Sequence, residues 1–149
     1  MIKLRGKSGK PAEKTILFVC VENAGRSQIA EGLFNNKYAP KDYRAISAGT
    51  RPVSQINPLA IEVMKEVGID ISGRKSKIIT EEMIRGSEKS VNMGCIDRTE
   101  CPMLFINNVI DWGIDDPKGK PIEKVREIRD EIDRRVREIA ESLERQNSS

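Results

Sequence analysis

Histidine is absent from the 149 residues. That absence removes Ser-His-Asp and Cys-His mechanisms and every His-ligated metal site, because each needs an imidazole as base or ligand. Aromatic residues make up only 4% of the chain. No apolar run approaches the roughly 18 residues that a membrane helix needs. The opening stretch MIKLRGKSGKPAEKT is basic but lacks the apolar core of an export signal, so a cytoplasmic protein is expected. Charge is not strongly of one sign either: 26 Lys and Arg stand against 23 Asp and Glu, a net +3, which gives little support to nucleic acid as a partner. Internal repeats, low-complexity segments and Gly/Ser linkers are all missing. One catalytic domain over 15–145 is expected, after a basic tail (1–14, mobile or forming a short extra strand) and before a short C-terminal tail (146–149).

What is present alternates between strand and helix patterns. TILFV (15–19) is a short continuous apolar run, as in a parallel strand covered on both faces. From Ser27, the residues Ile29, Ala30, Leu33 and Phe34 recur at helical spacing. YRAISAGT (43–50) reads as a second strand. NPLAIEVMKEVGID then offers Asn57 as N-cap, Pro58 as first helical residue and Gly68 as a left-handed stop. A third strand is expected at SVNMG (90–94), and a fourth within MLFINNVIDW (103–112). From Pro121 to about Arg145, the apolar stripe Ile122, Val125, Ile128, Ile132, Val136, Ile139 and Leu143 marks a long amphipathic helix, expected to dock on the sheet rather than form a coiled coil. The pattern is that of an open α/β fold, whose ligands bind beyond the carboxyl ends of the strands.

Cys20 sits at such an end. Backbone N–H groups of a tight loop, together with the unpaired first-turn N–H groups of the following helix, make an anion site. That electropositive setting favours a thiolate nucleophile. Val21, Glu22, Asn23, Ala24 and Gly25 would form the oxyanion-binding loop, with Asn23 holding its shape and Gly25 easing the turn. Arg26 would grip two oxygens of a tetrahedral anion, and Ser27 would donate its hydroxyl to the sulfur. The bland alternative is a buried, inert cysteine with a surface arginine beside it. The strand–loop–helix context favours the cradle. Cys95 and Cys101 make the cysteine count odd in a chain without an export signal, which points to reactive thiols rather than a disulfide framework. Two unrelated thiols remain possible on spacing alone. A zinc site is disfavoured, since three thiolates without histidine leave the coordination incomplete. Asp116, before Pro117, is on spacing alone either a turn residue or a functional acid.

CVENAGRSQIAE resembles the C-x5-R-S phosphate loop of low-molecular-weight protein tyrosine phosphatases and thioredoxin-coupled arsenate reductases. ISAGT (46–50) and DDP (115–117) fall where both carry similar segments. The resemblance implies a four-stranded parallel sheet flanked by helices, with Cys20 as nucleophile, Arg26 as oxyanion clamp and Asp116 as general acid. It also implies a relay in which Cys95 attacks the Cys20 adduct, Cys101 takes over the disulfide, and thioredoxin or a similar dithiol protein reduces it. DWGIDDPKGK resembles the reductase version of the acid loop, and the phosphatases usually carry an aromatic residue where Lys118 stands. Arsenate reduction is therefore the expected activity of a monomer with no bound cofactor. The alternative is a phosphatase acting on phosphotyrosine or small phosphoesters, which resolves its phosphocysteine with water and uses the extra cysteines to protect the nucleophile from oxidation. A non-catalytic oxyanion sensor would share the cradle but would not need Asp116. The chain departs from the resemblance at Gly25, where many relatives have cysteine, and at Glu22, which brings a negative charge to the anion loop. Some relatives hold a potassium ion near the loop, and Asn23, Glu31 and Ser47 match those positions.

Overall fold

The computed structural model describes residues 13–94, 96–106 and 109–148. Strand β1 (Lys14–Cys20) is followed by α1 (Arg26–Leu33), which runs into a π-helical turn (Phe34–Tyr38), and then by β2 (Tyr43–Gly49). Next come α2 (Pro58–Lys65), α3 (Glu81–Gly86), β3 (Ser87–Asn92), α4 (Pro102–Ile106), β4 (Ile110–Asp111) and α5 (Ile122–Ser148). The four strands form one parallel sheet in the order β2-β1-β3-β4. The first crossover leads from β1 to one side and the next leads back past it to the other. The topological switch point therefore lies at the carboxyl end of β1, where α/β folds place ligands.

The apolar run of β1 is explained by burial on both faces. Ile16, Phe18 and Cys20 share a core with Ile29, Ala30 and Leu33 of α1, Ala60 and Met64 of α2, and the stripe Ile128, Ile132, Val136 and Leu143 of α5. Leu17 and Val19, of opposite parity, meet Ala48, Ile84, Ile96 and Leu104 on the other face. The α5 stripe thus docks on the domain. The helix continues to Ser148, so residues 146–148, expected as a tail, are helical. The N-terminal residues 1–12 lie outside the described residues.

Helix α2 begins as its sequence predicts. The Asn57 side chain accepts the Leu59 N–H at 2.9 Å, Pro58 takes the first turn, and Gly68 adopts φ +82°. Two expectations shift. β3 starts at Ser87, three residues early, because its first half is only partly covered and shows no apolar run. It stops at Asn92, short of Gly94 with φ +126°. The fourth strand expected within 103–112 is present but short: Pro102 starts the helix α4, and Ile110–Asp111 pair with β3. A short apolar run does not distinguish helix from strand, and Pro suits the first helical turn. Helix α3, capped by Thr80, was not evident from periodicity because a six-residue helix buries only Ile84.

A polar clamp joins α2 to α5. Arg126 and Arg129 each contact the Glu66 carboxylate at 2.8 Å, and Arg129 also donates to the Val63 carbonyl. Hydrogen bonds from Arg126 and then Arg129 hold the Glu66 carboxyl down at about 2, against an ordinary 4.5. A depressed carboxyl contributes stability that is present above its unfolded value and lost as pH falls through the folded one. Glu66→Gln should therefore lower the melting temperature at neutral pH, with the deficit shrinking from about pH 4.5 and gone near pH 2. Thermal melts across that range check this; a deficit that ignores pH would contradict it.

Candidate active site

Cys20 is the last residue of β1 and Arg26 the first of α1, so the five residues between them form the turn at the switch point. Their carbonyls are all engaged from outside the turn. Val21 O accepts Arg51 N–H at 2.8 Å, Glu22 O accepts Val53 N–H at 3.4 Å, Ala24 O accepts Asn57 N–H at 2.8 Å and Gly25 O accepts Ile29 N–H at 2.9 Å. Asn23 O accepts the Ser76 hydroxyl at 2.9 Å and the Gln28 amide at 3.1 Å. In a planar trans peptide the next N–H points opposite to its carbonyl. The N–H groups of residues 22–26 therefore face the centre of the turn and form a ring of donors for an anion.

Asn23 organises this turn. It is buried at φ +53°, a left-handed conformation that Asn tolerates better than most side chains. Its Oδ1 accepts the Lys77 N–H at 2.9 Å and the Gln28 amide at 3.0 Å. Its Nδ2 donates to Ser27 Oγ at 2.8 Å, which leaves the Ser27 hydroxyl hydrogen for Cys20 Sγ, 2.9 Å away. The Asn23 N–H lies 3.2 Å from the same sulfur. Two donors thus converge on the buried Sγ.

Arg26 is 7% exposed. One nitrogen donates to the Ile114 carbonyl at 2.7 Å, and another lies 3.9 Å from Asp116 Oδ2. That second contact brings Asp116 to the mouth of the ring. The other Asp116 oxygen accepts the Lys118 N–H at 3.0 Å, and the carboxylate stays more than half exposed. Pro117 packs against Gly25, where an added Cβ would lie 3.0 Å from its ring. The Glu22 charge does not point into the ring; it pairs with Lys118 at 3.1 Å. A cavity of about 530 Å³ opens between the anion turn, residues 53–58 and residues 116–119, with no aromatic ring among its described lining residues.

The oxygens matched to a potassium site do not suit one. Glu31 is ion-paired with Arg74, lies 3.9 Å from Lys77 Nζ, and accepts the Ser47 hydroxyl at 2.6 Å, while Asn23 Oδ1 is already used by Lys77 and Gln28. Protein cations occupy the surroundings of this carboxylate. Burial, and for Lys77 also the adjacent Arg74 charge, lowers both groups below their ordinary values.

Of the two further cysteines, Cys95 lies outside the described residues. Cys101 is a free, half-buried thiol ahead of α4, packed on the core of Leu17 and Val19. Cys20 faces the opposite core. The structure thus brings Cys20, Arg26, Ser27 and Asp116 together around the anion turn and sets Cys101 behind it. Sequence reasoning missed Gln28, Ser76, Lys77 and the Ile114 carbonyl. Each acts through backbone or amide geometry that depends on the chain crossing, and no local pattern carries such information.

Comparison with known proteins agrees with this geometry. Residues 15–149 match the family described as low molecular weight phosphotyrosine protein phosphatase. Arsenate reductase 1 of Staphylococcus haemolyticus (strain JCSC1435) is 41% identical over 133 residues, covering 88% of this chain and 98% of that protein. Among solved structures, the thioredoxin-dependent arsenate reductase Cg_ArsC1' of Corynebacterium glutamicum is 40% identical with a TM-score of 0.75, covering 97% of this chain and 67% of that one. The YwlE arginine phosphatase of Geobacillus stearothermophilus is 29% identical with a TM-score of 0.79, covering 89% and 94%.

Proposed function

The chain belongs to the low molecular weight phosphotyrosine protein phosphatase family, and within it we propose that it is an arsenate reductase coupled to thioredoxin or a similar dithiol protein. The observation that carries this reading is a second, half-buried free thiol, Cys101, behind an anion turn that already holds a nucleophile. Hydrolysis of a phosphocysteine does not require it; a phosphatase would use such a thiol only to protect its nucleophile from oxidation. The 41% identity to an arsenate reductase along nearly that protein's whole length supports the same choice. So does a cavity with no aromatic ring among its described lining residues, which fits a small oxyanion better than a phosphotyrosine ring.

The reaction follows from the groups in place. Arsenate sits in the ring of N–H donors with its oxygens against Arg26, and the Cys20 thiolate attacks arsenic. One As–O bond breaks, and that oxygen leaves as water with a proton from Asp116. The Cys95 thiolate then attacks Cys20 Sγ. A Cys20–Cys95 disulfide forms, the S–As bond breaks, and its electron pair stays on arsenic, which leaves as arsenite, reduced from As(V) to As(III). The Cys101 thiolate attacks Cys95, moving the disulfide to Cys95–Cys101 and returning Cys20 as thiolate. An external dithiol reduces the last bond and becomes the disulfide itself. Cys101 never has to reach Cys20, in keeping with its place on the other face of the sheet. The same reading carries a cytoplasmic monomer that takes its electrons from the dithiol pool.

Arsenite release with a thioredoxin system, measured beside hydrolysis of a chromogenic aryl phosphate, tests this. Sustained arsenate turnover is expected. Aryl phosphate turnover with no response to arsenate would transfer the assignment to a phosphatase. Asp116→Asn should slow aryl phosphate hydrolysis by about 10²- to 10⁴-fold while leaving phosphate binding nearly intact, because the proton matters in the transition state and not in the bound ground state. Equal turnover of a poor leaving group by wild type and variant would reduce Asp116 to a turn residue.

A further inference from the structure

Glu100 has no part in the chemistry above, yet its carboxylate joins the cysteine-bearing segment to the outer wall of the anion turn. Its Oε2 accepts the Thr50 hydroxyl at 2.9 Å and lies 3.3 Å from Arg51 Nη2. Arg51 in turn donates its backbone N–H to Val21 of the anion turn. The Glu100 side chain is only 24% exposed, although the Arg51 guanidinium is mostly in water. On its own side, Glu100 belongs to a turn built by Asp97. That carboxylate accepts the N–H groups of Thr99 and Glu100, each at 3.0 Å, and the Thr99 hydroxyl at 2.6 Å. The Asp97 carbonyl accepts the Cys101 N–H at 3.4 Å. Asn92, at the end of β3, fixes the other end of the loop by donating to Ile96 O at 2.8 Å and accepting from Gly94 N–H at 3.1 Å. The turn ahead of Cys101 is therefore held together by its own hydrogen bonds, and Glu100 is its polar attachment to the rim of the site.

We propose that Glu100 is a positioning residue for the thiol relay, latching the Cys101-bearing turn to Thr50 and Arg51. This rests on the reductase reading. Thiol exchange needs the attacking sulfur aligned with the disulfide it attacks, and Cys101 must meet Cys95 while Cys95 is bonded to Cys20. Packing of Cys101 against the core cluster that includes Leu17 and Val19 sets its depth, and the latch sets how far the turn stands from the anion loop. The attachment is made of one charge-assisted hydrogen bond and one largely solvated ion pair. It is strong enough to bias a position and weak enough to release when the segment rearranges. Oxyanion binding and phosphocysteine chemistry do not use it.

The test follows formation of the Cys95–Cys101 disulfide after a pulse of arsenate without thioredoxin, in wild type, Glu100→Ala and Glu100→Gln, with aryl phosphate hydrolysis measured on the same samples. Glu100→Ala is expected to form the disulfide about tenfold more slowly with unchanged aryl phosphate kinetics. Glu100→Gln, which keeps an acceptor for Thr50, should fall in between. An unchanged disulfide rate in Glu100→Ala would overturn the latch. So would a parallel loss of aryl phosphate hydrolysis, which would mean that Glu100 merely supports the anion turn. A wild type that hydrolyses aryl phosphate but never forms the disulfide would defeat the reductase reading itself, and the latch with it.

Discussion

Cys95→Ser is expected to bring arsenate reduction to background while aryl phosphate hydrolysis continues at the wild-type rate. The two reactions share the attack by Cys20 and part afterwards. A phosphocysteine is opened by water, which needs no second thiol. An arsenic adduct on Cys20 yields arsenite only if a thiolate accepts the sulfur and leaves the electron pair on arsenic, and a serine hydroxyl cannot do that at neutral pH. Cys101 cannot substitute, because it packs on the opposite face of the sheet from Cys20. Paired assays of arsenite release and aryl phosphate hydrolysis check this. Parallel loss of both activities would show that Cys95 supports the anion turn instead.

The second large effect is expected at Gly49→Ala, which should depress both activities together. Gly49 ends β2 opposite Cys20, and a Cβ there would lie 2.5 Å from Val21 O, 2.9 Å from Asn23 N and 3.0 Å from Cys20 O. All three neighbours are backbone, so the anion turn itself would have to move. The Asn23 N–H is one of the two donors on the Cys20 sulfur, and the inward ring of N–H groups rests on the carbonyls remaining engaged outward. A displacement of about 1 Å in such a constellation costs on the order of 10² in rate. Steady-state kinetics on both substrates, with a melting curve to verify folding, provide the measurement. A folded variant of normal activity would show that the turn tolerates the shift.

The parts of this molecule legible in its sequence are those set by local chemistry. β1 declares itself because both faces are buried, α2 because Asn57 and Pro58 mark its start, and α5 because one stripe meets the core over many turns. Cys20, Arg26 and Ser27 were readable because a turn from strand to helix makes an anion site by its own backbone. What escaped depends on chain crossings. The segment 74–77 reaches back to Asn23 through Ser76 and Lys77, and Arg74 meets Glu31, contacts that join residues more than forty positions apart. The same is true of Glu100 with Thr50 and of Arg26 with the Ile114 carbonyl. The fourth strand falls inside the expected window, and α4 ahead of it is not legible because five residues carry too little periodicity to show their period.

The central claim, a relay through all three thiols, is tested most directly by non-reducing peptide mapping of the wild type after arsenate treatment with thioredoxin withheld. The account predicts a Cys95–Cys101 disulfide, a free Cys20 and about one arsenite released per chain. Three free thiols in a protein that still hydrolyses aryl phosphate would contradict it.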